Sequence, residues 1–360
     1  MTQIILVAPT AFKGTLGARQ AADALAQGAR RALPHAVVLT CPVADGGDGL
    51  LDAVLAPTAL RERVTVTGPL GAPVRAELAW IDAETAIFEC ASACGLALLA
   101  PDRRNPLEAT SRGVGELIVE AVERGASTVV VGLGGSACVD GGVGAARGLG
   151  WTFNDVSGTA LPEGGAALVA LADWTTGWRL TARVVALTDV RTPLVGPEGA
   201  AALFAPQKGA SPAHVQRLAA GLDRLAAAMA GHGRPELASL PGGGAAGGLG
   251  AGLVFFAHAE LVPGAPWVLD RIGFDAALAK ADLVITGEGA FDKTSRLGKA
   301  TGEVLRRAQL TRKRVAVVAG RVSDAGEAQA LSGDGTILDA SGLASLGERA
   351  TREALGLPAP

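Results

Sequence analysis

With 360 residues, 32 Lys and Arg against 35 Asp and Glu, and a net charge of −3, the chain is long enough for two domains. It has no overall basic field to hold a nucleic-acid backbone. Cys41, Cys90, Cys94 and Cys138 and the four histidines make no ligand spacing beyond the Cys90/Cys94 gap, which favours buried free thiols over zinc or redox chemistry.

IILVAP (4–9) is a continuous apolar run of the kind buried on both faces of a parallel sheet, and residues 16–33 follow with helical spacing. AVVLTCPVA (36–44) is a second strand of that kind, making a βαβ opening. Short alternating runs within 64–91 (VTVTGPLG, AELAWID, TAIFECA) predict antiparallel or mixed strands. A helix over 113–124, the strand STVVVGLGG (127–135), the buried strand ARVVALTDV (182–190) and a helix over 211–230 come next. The opening pattern returns as ADLVITGEG (281–289), a strand then a glycine loop, the helix GKATGEVLRRAQ, the strand RVAVVAG (314–320) and a further strand at GTILDAS (335–341).

This order predicts an α/β fold of two domains. One is a discontinuous Rossmann- or flavodoxin-like parallel-sheet domain from residues 1–61 and 267–360; the other is a mixed α/β domain inserted at 62–266. The cleft between them is the default site. The stretch 237–259 lacks charges but is broken by Pro241 and many glycines, which would leave backbone groups poorly satisfied in lipid. The start MTQIILVAPTAF carries no basic leader, so the expectation is a cytoplasmic protein without membrane partners.

Five glycine-and-acid loops punctuate the chain: VADGGDG (43–49), GLGGSACVDGG (132–142), TDVRTPLVGPEG (188–199), PGGGAAGGLGAG (241–252) and TGEGAFDKTSRLGKAT (286–301). None is a familiar motif. PTAFKGT after the first strand lacks GxGxxG, Lys293 and Ala300 break a Walker pattern ending at Gly298-Lys299, and GGSAC misses the last glycine of a nucleophile elbow. What the loops do supply is lysines, aspartates and backbone N–H groups. Phosphoryl transfer needs these to stabilise the moving group, hold Mg²⁺ and orient an acceptor hydroxyl.

The segments APTAFKGTL (8–16), PVADGGDGL (42–50), GLGGSACVDGG (132–142), DVRTPLVGPEGAAALFAPQKGA (189–210), PGGGAAGGLGAGL (241–253) and ITGEGAFDKTSRLGK (285–299) stand in the order of a known pattern. They resemble the bacterial glycerate kinase family, in which APDSFKGSL, PVADGGEGT, GxGGSATNDGG, DVxNPLxGPxGAxxxFxPQKGA, PGAGAAGGLGAGL and ITGEGxxDxQTxxGK recur. The chain departs at Thr10 and Ala11 (Asp and Ser in the pattern), Asp48 (Glu), Cys138 and Val139 (Thr and Asn), and at ASACGL (91–96), where Ser92 replaces a Glu.

The resemblance implies an ATP- and Mg²⁺-dependent kinase that phosphorylates D-glycerate by direct in-line transfer, with 2-phosphoglycerate the favoured product, and that works as a monomer or homodimer. The altered loops keep two alternatives open: a kinase of another small hydroxy acid, or a non-catalytic sensor. Within this frame Asp45, Asp189 and Lys13 are the catalytic candidates. Lys13 neutralises phosphate or carboxylate charge, or is a solvated lysine at a helix start. Lys299, Asp292, Glu288 and Lys208 are assigned to substrate, with a surface lysine as the alternative for Lys208. Gly134, Gly135, Ser136, Gly46 and Gly47 are assigned to the nucleotide. Asp140 and Asp189 are assigned to metal, with an Asx turn and a turn-initiating residue as their alternatives. Asp48 belongs to the site or caps a helix starting near Gly49. The run 242–252 lets backbone approach a ligand or a neighbouring helix.

Overall fold

The computed structural model describes residues 2–12, 14–296, 298–323, 330–332 and 339–358. The chain forms two compact units: Met1–Asp45 with Gly49–Pro57 and Pro263–Pro360, and Gly46–Asp48 with Thr58–Val262. In chain order the strands are β1 (Ile4–Pro9), β2 (Val37–Thr40), β3 (Arg61–Thr67), β4 (Pro73–Trp80), β5 (Thr85–Glu89), β6 (Thr128–Gly132), β7 (Thr152–Asn154), β8 (Asp173–Thr175), β9 (Arg183–Thr188), β10 (Glu260–Pro263), β11 (Leu283–Phe291), β12 (Arg314–Val322) and β13 (Ala330–Ser332). The helices are α1 (Ala18–Ala32), α2 (Leu50–Val54), α3 (Ala91–Cys94), α4 (Arg112–Glu123), α5 (Val143–Gly148), α6 (Ala200–Phe204), α7 (Pro212–Gly231), α8 (Ala245–Phe256), α9 (Gly264–Arg271), α10 (Phe274–Lys280), α11 (Ala300–Leu310) and α12 (Ala340–Leu355).

The unit built from the chain ends holds a parallel sheet in the order β13-β12-β11-β1-β2. Its central strands are apolar along their buried stretches, 4–9, 283–285 and 315–319, because both faces are covered. Ile5 and Val7 pack with α1 and α12 through Leu25, Leu343 and Leu346, while Leu6 and Ala8 pack with α9 to α11 through Leu269, Leu278 and Val304. Each large side chain so buried contributes about 1.5–3 kcal/mol.

The second strand is shorter than its apolar run suggested. Only Val37–Thr40 pair, and they lie at the sheet edge with no fully buried residue. The reverse holds for β11, which continues through its glycines to pair Phe291 with Val322 of β12, so what read as a loop after Ile285 is strand. Of the strand expected at 335–341, residues 335–338 lie outside the described residues, and Asp339 caps α12 by accepting from Gly342 N at 2.8 Å.

The other unit carries a mixed sheet in the order β10-β9-β6-β5-β4-β3. β3, β4 and β5 are antiparallel, whereas β5, β6 and β9 run parallel. Alternation in β3 and β4 buries Val64, Val66, Ala76 and Leu78 on one face. A second core, with Val139, Phe153, Leu222, Leu225 and Phe256, packs around α7 and α8. The glycine run at 242–252, which enters the first turns of α8, serves this packing. A Cβ on Gly247 (φ +75°) would lie 2.1 Å from the Cys138 carbonyl, so the backbone that it approaches is the loop after β6.

Candidate active site

In the inserted unit the loop after β6 is the best-defined polar structure. It is zipped to the segment before and after α3: Cys90 N donates to Gly132 O (2.9 Å), Leu96 N to Gly135 O (2.8 Å) and Ala137 N to Cys94 O (2.7 Å). Residues 46–48 lie against it. A Cβ on Gly134 would come within 2.8 Å of Gly47 Cα, one on Gly135 within 2.7 Å of Asp48 Oδ1, and one on Gly46 within 2.8 Å of Leu187 Cβ. Gly46, Gly47, Gly134, Gly135 and Ser136 are therefore brought together. Asp48 does not cap α2, whose N-terminal flank is Gly49 in the left-handed region (φ 87°) without a side-chain bond.

Ser136, Cys138 and Val139 are buried, yet their backbone N–H groups donate to no protein acceptor among the described residues. Buried donors without partners are rare, and grouped on a glycine loop they form the pattern that receives an anion. This fits a polyphosphate.

Asp140 differs from its metal assignment. It is 1% exposed. Its Oδ2 accepts from Ser111 N (2.8 Å), Ser111 Oγ (2.8 Å) and Gly144 N (3.2 Å), and its Oδ1 from Gly142 N (3.1 Å). Ser111 Oγ in turn accepts from Ala145 N at 2.9 Å. The pair satisfies the first N–H groups of α5 and anchors the start of α4. Burial pushes the Asp140 carboxyl up, Ser111 and Gly142 pull it back, and Glu163 adds to the rise. A carboxylate so engaged does not fit a Mg²⁺ ligand; the Asx-turn alternative describes part of what it does. Asp189 is half-buried just past β9. Among the described residues no three His, Cys, Asp or Glu side chains converge as a metal-ligand set.

Lys208 is not a surface lysine. It is 3% exposed. Its Nζ donates to Ser136 Oγ at 3.0 Å and to Cys138 O at 2.7 Å. Burial lowers its basicity, against the favourable influence of Cys138, Cys94, Cys90 and Asp140. The four cysteines are buried free thiols.

In the other unit the polar groups collect at the carboxyl end of β11. Glu288 is half-buried, and among the described residues its Oε1 has no hydrogen-bond partner, as is true of the fully buried Thr301 Oγ1. Burial raises the Glu288 carboxyl; the nearby hydroxyls of Ser295 and Thr301 and the charge of Lys299 oppose this, and Asp45 adds to it. Asp45, Glu288 and Lys299 thus share one electrostatic neighbourhood. Asp292 and Ser295 bond reciprocally, Ser295 N to Asp292 Oδ1 (3.2 Å) and Asp292 N to Ser295 Oγ (3.1 Å), fixing the turn between β11 and α11. Lys13 lies outside the described residues. Thr10, one of the departures, donates from Oγ1 to Gly287 O at 3.2 Å.

One feature escaped the sequence reading. An open cavity of about 450 Å³ in the inserted unit is lined by Arg103, Arg104, Asn105, Gly209 and His214 among others, and Arg104 Nε is buried without a partner among the described residues. Only the doubled arginine at 103–104 marked it in the sequence.

Residues 5–353 match the model of the glycerate kinase family. The chain belongs to the glycerate kinase family, and it is a kinase. It is 40% identical over 326 residues to glycerate 2-kinase of Escherichia coli K12, covering 89% of this chain and 86% of that one. It is equally 40% identical to glycerate kinase of Bacillus subtilis 168 over 89% and 85% of the two chains. A crystal structure named as glycerate kinase 2 from Salmonella typhimurium LT2 superposes with a TM-score of 0.82 at 36% identity, over 99% of this chain and 98% of that chain. Among the described residues no helix is long and apolar enough to cross a membrane.

Proposed function

We propose that this glycerate kinase family member transfers the γ-phosphoryl group of ATP directly to a hydroxyl of D-glycerate, with 2-phosphoglycerate as product. The observation that carries the nucleotide half is the buried loop whose Ser136, Cys138 and Val139 N–H groups have no acceptor among the described residues. Gly46, Gly47, Gly134 and Gly135 keep that loop free of side chains where phosphates approach, and Ser136 adds a hydroxyl. The names of the Escherichia coli and Bacillus subtilis relatives support glycerate as acceptor, and the first of them supports the 2-position.

Mg²⁺, when bound, neutralises charge on the transferring phosphate oxygens; Asp189 is the carboxylate that would hold it. Asp45 orients the acceptor hydroxyl and takes its proton, and Lys13 neutralises the phosphate in transit. Lys299 at the start of α11 binds the glycerate carboxylate, helped by the helix N-terminus, while Glu288 and Asp292 accept from its hydroxyls. Thr10, held to Gly287 O, supports a second reading in which the acceptor is another small hydroxy acid, since a carboxylate is missing from that loop. ADP release from MgATP with D-glycerate, run beside an enolase-coupled readout, tests both. Signal in both assays is expected. ADP without enolase signal moves the product to 3-phosphoglycerate, and no glycerate-dependent ADP removes glycerate as the acceptor.

A further inference from the structure

We propose that Lys208 is a positioning residue rather than a substrate contact: its buried ammonium holds the loop at residues 134–140 in its anion-accepting shape and turns the Ser136 hydroxyl proton toward the nucleotide phosphates. This rests on the reading of that loop as the nucleotide site.

A serine oxygen carries one proton and accepts through its lone pairs, whereas an ammonium only donates. Ser136 Oγ accepts from Lys208 Nζ at 3.0 Å and therefore cannot donate back along the same line. Its own proton has no acceptor among the described residues, although the residue is buried. That proton joins the buried N–H groups of Ser136, Cys138 and Val139 as one more unmatched donor of the same loop. The second Lys208 bond, 2.7 Å to Cys138 O, grips the carbonyl that Gly247 also abuts, so the loop is pinned on both sides at its middle.

The charge balance points the same way. Around the ammonium stand the thiols of Cys90, Cys94 and Cys138 and the carboxylate of Asp140, which four donors from Ser111, Gly142 and Gly144 already engage. No carboxylate forms a salt bridge with Lys208 among the described residues. A buried cation with only neutral direct partners lowers stability. An incoming phosphate offsets that deficit through the serine without having to touch the lysine.

The test measures MgADP affinity by calorimetry, with initial rates beside it, for wild type, Lys208→Met, Lys208→Arg, Ser136→Ala and the double variant Lys208→Met/Ser136→Ala. Removing a charge-assisted bond from a buried site predicts MgADP binding weaker by about 10- to 100-fold in Lys208→Met and by about 10-fold in Ser136→Ala. The KM for D-glycerate should stay within about 2-fold, because the interaction lies on the nucleotide loop. The double variant should be no weaker than Lys208→Met beyond about 2-fold, since the serine proton is no longer directed. Lys208→Arg should recover part of the loss. The nucleotide-free Lys208→Met protein should melt at or above the wild-type midpoint.

Wild-type MgADP affinity in either Ser136→Ala or Lys208→Met overturns the proposal. A fall of midpoint with equal losses in both substrates' KM values, in Lys208→Met, overturns it in favour of a purely structural lysine. Wild type that binds MgADP but does not turn over D-glycerate removes the acceptor assignment and leaves Lys208 standing. Wild type that binds no nucleotide overturns both.

Discussion

The loop at residues 134–140 and the strand end at residues 288–301 both gather polar groups, but they do so in different ways. In the first, backbone bonds to the segment around α3 and a buried lysine hold a set of N–H donors without partners among the described residues. In the second, the polar groups are half-buried side chains: Glu288 has no partner on Oε1 among the described residues, Lys299 lies near it, and Asp45 raises its basicity. A cradle of backbone N–H dipoles does not titrate and suits what every nucleotide shares. A cluster of titratable side chains responds to pH and suits one acceptor and one proton.

The comparison breaks most visibly at Asp45. Asp45→Asn should lower kcat by about 10²- to 10⁴-fold, the range for a lost general base, with the unfolding midpoint unchanged. An Asp45→Asn protein with wild-type kcat would take catalysis away from that strand end.

Asp140→Ala tests the opposite region, where a carboxylate is structural. Deleting a buried acceptor of four donors should cost about 3–5 kcal/mol in urea denaturation. A stable Asp140→Ala protein with a raised Mg²⁺ requirement would restore the metal role. Gly247→Ala should cost about 2 kcal/mol or more, because the position has φ +75° and its Cβ would meet the Cys138 carbonyl. Gly273→Ala, at φ +68° in open space, should cost about 1 kcal/mol. Equal losses at the two glycines would show that close approach to the loop is unimportant.

The smallest expected effect is at Glu288. Its folded carboxyl titrates above the unfolded value of 4.5, so the native state binds more protons in that window and stability falls as pH rises through it. Glu288→Gln should therefore gain on wild type as pH climbs through the window and hold a constant lead above it. Denaturation midpoints at a series of pH values read this directly, and a lead that shrinks with pH would reverse the sign of the shift.

Much of this was legible in the chain. The runs at β1, β11 and β12 announced a parallel sheet because strands covered on both faces must be apolar at every position. The glycine loops announced a site because acids and cations recur beside residues that leave backbone exposed. The edge position of β2 was not legible, since an apolar run does not say whether a strand has one neighbour or two. Nor was the difference between Asp140 and Asp189: both follow a buried strand, and only packing shows that one meets Ser111 and the start of α5. Lys208 reads in sequence like any lysine in a loop.

By itself the sequence determined the α/β class, the order of elements and the family, since these follow from local periodicity and from motifs contiguous in the chain. The tertiary structure decided which carboxylates and lysines are held in the interior, as Asp140 and Lys208 are. That depends on burial and on partners separated by dozens of residues, as Lys208 and Ser136 are, and local pattern carries no record of either.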